Sequence, residues 1–530
     1  MGIPSYYKTL ITKMPHAIQR KAPSQVSALV IDMNCMIYHV LKEPKMMAVP
    51  FPGEQGRLKW ERKLQEEVCS YLTHIWRSAG APGKVYVALD GVVPYAKIKQ
   101  QRFRRFKSAA LASGQVSSND GSQGLASPSP MWDTNSITPG TQFMATMGSS
   151  LREAGLKHGW IISDTDEPGE GEHKVLKWLR ENEIKDGAVI VYGLDADLIL
   201  LCLIAGEALG SKNPIYLLRE AMAFGKLVRL NGSQEVDLCF FQISTLKESL
   251  QRGGEWSKEQ FYDYIFGMSF CGNDFLPTGL SLRIRDEGHS ILLSGLQDLW
   301  RRNKNLIRIE SDGTLRPNAD GLKHFATWIM GQEERLILTT IKRKMTARFG
   351  EDEADNLPLR EQSERPMIKE VQGQVILRDN WHSTYCRLAI GEDSVEQRKT
   401  RVADYWRGWC WILDYYQGRP VDLEWVYPAG YPPSWSDLVR YFTLPSQDDW
   451  AQREPLKPQE QLALVLPMSS WGLLLNTPFR PLPNIIPQFW PNGFHYETFA
   501  KRFGWECEPM IPMLTPARLR HEFSQMNVSK

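Results

Sequence analysis

No apolar run in the chain approaches the ~18 residues that a membrane-spanning helix needs, which excludes a helical membrane anchor within it. Cysteine is sparse and scattered: Cys35, Cys69, Cys202, Cys239, Cys271, Cys386, Cys410 and Cys507 form no CxxC pair and no Cys/His tract of zinc spacing. That pattern excludes a disulfide-framed scaffold and the familiar zinc modules, and it implies a reducing compartment. Neither sign of charge dominates, because 63 Lys and Arg residues face 61 Asp and Glu residues for a net charge of +2. Affinity for a polyanion would have to come from locally clustered basic residues. The opening Met1-Gly-Ile-Pro-Ser-Tyr6 lacks the basic-then-apolar layout of a signal peptide, and it lacks the Ser or Thr that myristoylation wants at its sixth position. No internal repeat recurs at a fixed period. The expectation is a soluble intracellular protein, cytoplasmic in preference to nuclear, with no membrane partner.

What is present is an ordinary globular composition, 42% hydrophobic and 23% charged over 530 residues, enough chain for about two to four domains with a large core. Gly2 to Met14 reads as a short amphipathic helix. Val26-Ser-Ala-Leu-Val-Ile31, Lys84-Val-Tyr-Val-Ala-Leu89 and Ala188-Val-Ile-Val-Tyr192 read as buried strands. Each strand runs into acid: Asp32, Asp90, and the pair Asp195 and Asp197. Helical segments such as Leu58 to Ser78 lie between them, which predicts an α/β unit around a mainly parallel central sheet flanked by helices. Ligands bind at the carboxyl ends of such strands, so these acids should converge.

Two further carboxylates, Glu170 and Glu172, lie in Pro168-Gly-Glu-Gly-Glu-His-Lys174. On a regular helix they would diverge by about 200°; the surrounding glycines and Pro168 place them instead at an irregular helix start, whose positive end suits anions. Acids gathered at about 5 Å repel by roughly 3 kcal/mol per pair at an effective dielectric of about 20, and bound divalent metal is the usual remedy. Lys97, Gln101, Arg104 and Arg105 follow helical spacing i, i+4, i+7, i+8 and share one face, either a solvated basic stripe or an anion site. Ser108 to Pro130, rich in Ser, Gly and Ala, reads as a mobile loop. Ser257-Lys-Glu-Gln260 is a capping-box signature for a helix from Phe261 to Met268. It precedes Asp274, which by itself reads as a turn former. Beyond about 300 the pattern is helical through Arg348, and Glu351 to Glu370 reads as a charged linker or exposed excursion. From about Asn380 the chain becomes rich in aromatics, notably Tyr405 to Tyr416 and Trp425 to Tyr431, which read as core packing or as a stacking wall.

Taken together these segments resemble the XRN-type 5′-to-3′ exoribonucleases. The likeness rests on Met1-Gly-Ile-Pro4, Ile31-Asp-Met-Asn34, Asp90 to Lys97, Gln100-Gln-Arg-Phe-Arg-Arg-Phe106, Asn135 to Thr141, Pro168 to Lys174, Tyr192-Gly-Leu-Asp-Ala-Asp-Leu198 and Gly272-Asn-Asp-Phe-Leu-Pro277, all in the family's order. More loosely it extends to Trp409–Tyr416, Trp425–Tyr431, Lys457–Leu462 with Leu466-Pro467, and Phe489-Trp-Pro491. The resemblance implies a PIN/flap-nuclease-like fold with an aromatic-rich second conserved region packed against it. It implies divisions near 1–305 (nuclease domain), 306–378 (helical connection and linker) and 379–530 (second conserved region), covering the family's nuclease core without its C-terminal extension. It implies metal-binding acids at Asp32, Asp90, Glu170, Glu172, Asp195, Asp197 and Asp274, holding two Mg²⁺ ions for which Mn²⁺ can substitute. It also implies a 5′-monophosphate pocket at Lys97, Gln101, Arg104 and Arg105, base-stacking candidates at Tyr38, His39 and Trp425, and single-stranded 5′-monophosphorylated RNA as partner, degraded processively to 5′-mononucleotides in RNA decay or processing. His173 is then structural or a supporting neighbour of the ligands, not catalytic. Three departures stand out: Tyr38 where relatives carry His, Leu423 where they tend to carry Trp, and a basic helix that dissolves into the Ser108–Pro130 loop. Two alternatives remain open, an inactive RNA-binding scaffold of the same fold and a flap-type structure-specific DNase.

Overall fold

The computed structural model describes residues 3, 5–112, 131–223, 226–229, 236–251, 254–348, 353–391, 393–446, 450–474 and 477–528. Seven strands form the central sheet: β1 (Ile18–Gln19), β2 (Val26–Asp32), β3 (Val85–Ala88), β4 (Ile161–Ser163), β5 (Ala188–Tyr192), β6 (Ile215–Glu220) and β7 (Leu238–Gln242). Their spatial order is β1-β7-β6-β5-β2-β3-β4. The five strands from β6 to β4 are parallel, and β7 and β1 close one edge antiparallel. From β2 the chain winds outward through β3 and β4, then returns to β5 and β6 on the other side. The winding thus reverses between β2 and β5, the point at which such sheets place a crevice beyond the strands' carboxyl ends. Register brings the acids there: Asp32 pairs with Ala88, two residues before Asp90, and Ile31 pairs with Tyr192, three before Asp195.

Both sheet faces are buried, as the continuous apolar strands require. Leu29, Ile31, Val87 and Ile190 point toward α3 (Arg57–Ser78) and α5 (Gln142–His158), whereas Ala28, Val30, Val189 and Val191 point toward α6 (Gly171–Glu181), α7 (Leu198–Leu209) and α8 (Lys258–Gly267). Two shorter helices, α1 (Tyr6–Lys13) and α2 (Asn34–Leu41), and one long one, α4 (Tyr95–Ala112), are among the other helices of the first part of the chain. The last third adds α9 (Val395–Gln417) and α10 (Pro458–Val465). Trp406, Trp409 and Trp411 of α9 are fully buried in the core shared with α7 and α8, while Ile98 and Phe106 of α4 pack with Leu462, Val465 and Trp490. The aromatic region is therefore packed on the first region from two sides, not appended to it. No helix among the described residues is long and apolar enough to cross a membrane.

Several local expectations change. Four strands were missing from the sequence pattern, β1, β4, β6 and β7; of these β1 is two residues long and β4 three. Helix α4 continues through Ser108 to Ala112, consistent with the helix-forming Ala109, Ala110 and Leu111; the rest of the expected loop, 113–130, lies outside the described residues. The stretch beyond 300 is not helical throughout: a hairpin pairs Ile307–Ile309 with Leu315–Pro317, turning at Gly313 with φ 85°. The capping box at Ser257 and Gln260 forms with both hydrogen bonds, and the helix it opens starts at Lys258.

Glu351 to Glu370 is neither linker nor excursion where it is described. It contains a helix (Glu353–Glu361) and the start of a two-stranded sheet (Ile368–Val371 with Gln374–Leu377). Its anchor is electrostatic: Glu364 meets Lys344 at 2.7 Å, and both side chains are 2% exposed. Removing one partner of such a pair strands a charge in the interior. Glu364→Ala is expected to cost about 3–5 kcal/mol in urea denaturation, with Lys344→Met/Glu364→Leu recovering most of it; an exposed linker would make Glu364→Ala neutral.

Candidate active site

The crevice at the sheet's reversal point gathers all seven sequence-predicted acids. Asp32 is the last residue of β2 and is 8% exposed. Asp90, two residues past β3, accepts from Asn34 Nδ2 at 2.8 Å and from the Gly171 N–H at 2.7 Å. Glu170 is the N-cap of α6 and Glu172 lies in its first turn. Only glycine fits between them, because a Cβ at position 171 would stand 2.4 Å from Asp32 Oδ1. Asp195 sits in the loop after β5, and Asp197 is the N-cap of α7. Glu172, Asp195 and Asp197 each bring an oxygen within 4.8 Å of the others. Asp274 follows a 3₁₀ turn (Met268–Cys271). There the neighbouring Asn273, not Asp274, makes the turn, its Oδ1 accepting from the N–H groups of Phe275 and Leu276. The Asp274 carboxylate is left to face the crevice.

Among the described residues, a lysine stands between two of these acids. Lys97 Nζ lies 2.6 Å from Glu170 Oε2 and 2.6 Å from Asp274 Oδ2. The remaining oxygens of that pair are engaged too: Glu170 Oε1 accepts from Tyr415 Oη at 3.0 Å, and Asp274 Oδ1 from Gln100 Nε2 at 2.6 Å. Against the effect of burial, the Lys97 ammonium holds Asp274 well below the usual carboxylate range. The other end of the cluster is different. Both oxygens of Asp197, which is 1% exposed, and Oε2 of Glu172, 4% exposed, have no hydrogen-bond partner among the described residues. Burial, then the charges of Asp274 and Asp195, push Asp197 up to about 7; burial, then Asp197, raise Glu172 well above its ordinary value. Burial and the charges of Asp90 and Asp195 raise Asp32 likewise. Buried carboxylates left without partners are costly, and an all-oxygen donor set of this kind fits a hard divalent cation such as Mg²⁺ or Mn²⁺. By contrast, a separate His382, Cys386 and Asp437 group is already neutralised, since Arg398 Nε donates to Asp437 at 3.0 Å.

The basic face of α4 leads into this crevice. One turn beyond Lys97, Gln101 is 6% exposed with Oε1 unpartnered; a further turn on, Arg105 is 6% exposed with Nη1 unpartnered, and Arg104 is exposed. Burial pushes the Arg105 guanidinium down to about 10, the signature of a buried cation short of an anion. The opposite face of α4 is anchored by Arg102, fully buried, whose Nη1 donates to the Leu464 carbonyl of α10 at 2.8 Å. The stacking candidates divide. Tyr38 is half-buried. His39 is buried, paired with Glu43 at 3.2 Å and lying 4.6 Å from the Tyr71 ring. Trp425 is 8% exposed, stacked on Trp411 at 5.3 Å and seated over Gly408, where a Cβ would come within 2.7 Å of its ring. Packing occupies both of these rings.

Comparison with known proteins accounts for this arrangement. Residues 1–221 match the family model described as XRN 5′-3′ exonuclease N-terminus, and residues 351–529 match that described as Xrn1 helical domain. The chain belongs to the XRN family. It is 26% identical to human 5′-3′ exoribonuclease 1, over all of this chain and 34% of that protein. It is 25% identical to Arabidopsis thaliana 5′-3′ exoribonuclease 2, over all of this chain and 68% of that protein. The third, Saccharomyces cerevisiae 5′-3′ exoribonuclease 1, is 23% identical over 98% and 43% of the two chains. The XRN chain thus spans about a third to two thirds of these relatives.

Three residues with a hand in this XRN site escaped the sequence reading: Asn34 on Asp90, Gln100 on Asp274 and Tyr415 on Glu170. Asn34 and Gln100 adjoin recognised residues, so proximity was a usable signal; Tyr415 lies 245 positions from its partner and gave none. The unpartnered Asp197 makes a measurable claim. Asp197 makes no side-chain cap hydrogen bond, so Asp197→Asn loses no cap and removes a buried charge; in chelator the variant's stability from urea denaturation should rise by about 1–3 kcal/mol, and Mg²⁺ should no longer stabilise it as it does the wild type. A lower midpoint in chelator would show that Asp197 is not strained.

Proposed function

We propose that this XRN-family chain is a Mg²⁺-dependent 5′-to-3′ exoribonuclease that hydrolyses single-stranded, 5′-monophosphorylated RNA processively to 5′-mononucleotides, in RNA decay or processing. The observation that carries the reading is the continuity of the α4 basic face with the acid crevice through Lys97. A terminal phosphate on that face would place the first phosphodiester beside the carboxylates. Asp32, Asp90, Glu170, Glu172, Asp195, Asp197 and Asp274 would hold two Mg²⁺ ions, with Mn²⁺ as substitute, and such ions supply an activated water and charge neutralisation at the leaving oxygen. Arg105, Arg104 and Gln101 offer the forked and amide donors that suit a phosphate monoester. Because Gln101 and Arg105 are buried, a cap or triphosphate would not be accommodated. Tyr38 supplies an aromatic face for the terminal base.

An idle scaffold would have no use for the strained Asp197 and Glu172, which weighs against the inactive reading. A flap-type DNase has no evident need for buried, unpartnered donors at Gln101 and Arg105 midway along α4.

The deciding comparison is of RNA ends. With Mg²⁺, 5′-monophosphate RNA should shorten stepwise, at least about tenfold faster than the same RNA bearing a 5′-triphosphate; equal rates would remove the pocket assignment. Circular RNA should stay intact, and cuts within it would rule out an exonuclease. Asp195→Asn should abolish hydrolysis while RNA binding, measured by anisotropy, persists.

A further inference from the structure

Strand β6 runs beside β5 with Leu218 opposite Tyr192, and it continues two residues further, alongside the loop that carries Asp195 and Asp197. Those two residues point to opposite faces of the sheet. On one face, Glu220 Oε1 accepts from Tyr192 Oη at 2.6 Å and from Tyr71 Oη at 2.8 Å. On the other, Arg219 Nη2 donates to the Leu194 carbonyl at 3.0 Å, and its guanidinium carbon lies 3.7 Å from the centre of the Tyr7 ring. The end of β6 thus grips the last residue of β5 on one side and the loop after it on the other.

Arg219 is a costly residue for this place. It is 7% exposed, and its Nε and Nη1 have no hydrogen-bond partner among the described residues. A buried guanidinium with two donors unmet adds little to the stability of a fold. Its one hydrogen bond is well aimed, however. Leu194 and Asp195 share a planar peptide, so holding the Leu194 oxygen fixes the plane that carries the Asp195 N–H and leads to its Cα. The backbone bond just before it is long, 3.4 Å from the Gly193 N–H to the Leu218 carbonyl. The same device recurs at Asp90, where Lys174, 3% exposed, donates to the preceding Leu89 carbonyl at 2.8 Å and to the Asp164 carbonyl at 2.7 Å.

We propose that Arg219 is a positioning residue for the metal site: through the Leu194 carbonyl it sets where Asp195, and two residues later Asp197, stand relative to Glu172. The proposal rests on the reading of those three acids as metal ligands. Arg219 acts on them through the backbone of the loop, and its contribution is geometric. Outer groups that orient metal ligands in this way typically govern about 10- to 100-fold of the affinity for the ion. The buried, half-satisfied guanidinium is thus kept for the precision of the loop and not for the stability of the sheet.

The test is metal binding without RNA. Mn²⁺ is titrated by calorimetry into the full chain of wild type, Arg219→Met, Arg219→Lys and Asp195→Asn, and urea midpoints are taken in chelator. Arg219→Met keeps a side chain over Tyr7 and removes the donor. It should bind Mn²⁺ at least about tenfold more weakly than wild type, while its midpoint in chelator does not fall. Amide hydrogen exchange across 193–197 should be faster in this variant. Arg219→Lys, which keeps a donor for the Leu194 carbonyl, should recover most of the affinity. If Arg219→Met does not fold, Arg219→Gln takes its place under the same expectation. Wild-type Mn²⁺ affinity in the neutral variant would overturn the proposal; so would a loss shared in full by Arg219→Lys, which would trace the effect to packing. Asp195→Asn should also weaken Mn²⁺ binding. If it does not, the ligand assignment under Proposed function fails and this proposal with it; if it does and the neutral Arg219 variant does not, only the role of Arg219 fails.

Discussion

The crevice can exist because one ammonium lies between two carboxylates. Seven acids converge where the sheet reverses its winding, and at separations of about 5 Å each like pair repels by roughly 3 kcal/mol. Lys97, 2.6 Å from Glu170 and from Asp274, offsets this on one side of the cluster. Asp90 is steadied by hydrogen bonds from Asn34 and the start of α6. Among the described residues, the buried oxygens of this cluster left without a hydrogen-bond partner belong to Glu172 and Asp197. The strain is thus concentrated where a metal would relieve it, a common way for a site to be less stable than its scaffold.

Positioning this cluster takes the whole chain. The parallel sheet supplies Asp32 and brings in Asp90, Asp195 and Asp197 just past its strand ends; the close approach of α6, possible only with Gly171, supplies Glu170 and Glu172. The far aromatic region contributes through Tyr415, whose ring lies 3.9 Å from that of His173 and 4.6 Å from that of Trp411 while its hydroxyl reaches Glu170. Orientation of a ligating carboxylate by such an outer partner typically governs metal affinity as much as the carboxylate itself.

Much of this was legible in the primary structure. The parallel sheet followed from apolar runs ending in acid, and the shared face of Lys97, Gln101, Arg104 and Arg105 from helical spacing. What could not be read was contact across long separations. Glu364 looked like part of a charged linker because its partner Lys344 lies in another helix. Asp274 looked like a turn residue because the role of Asn273 in making the turn is a matter of backbone geometry. Trp425 and His39 looked available for stacking because sequence does not say which aromatic rings are buried against others. The short strand β4 escaped because three residues carry too little periodicity.

Arg102 bears on how such a chain can be divided. Its guanidinium is fully buried beneath α4, and its Nη1 donates to a carbonyl of α10, some 360 positions later. Severed from the last third, the first region would present to water an apolar helix face with a cation at its centre, and the last third would expose the matching carbonyl. The two regions are therefore not interchangeable modules. They are one heritable unit, and recombination that keeps the acids but exchanges the aromatic third must also keep the socket for this side chain.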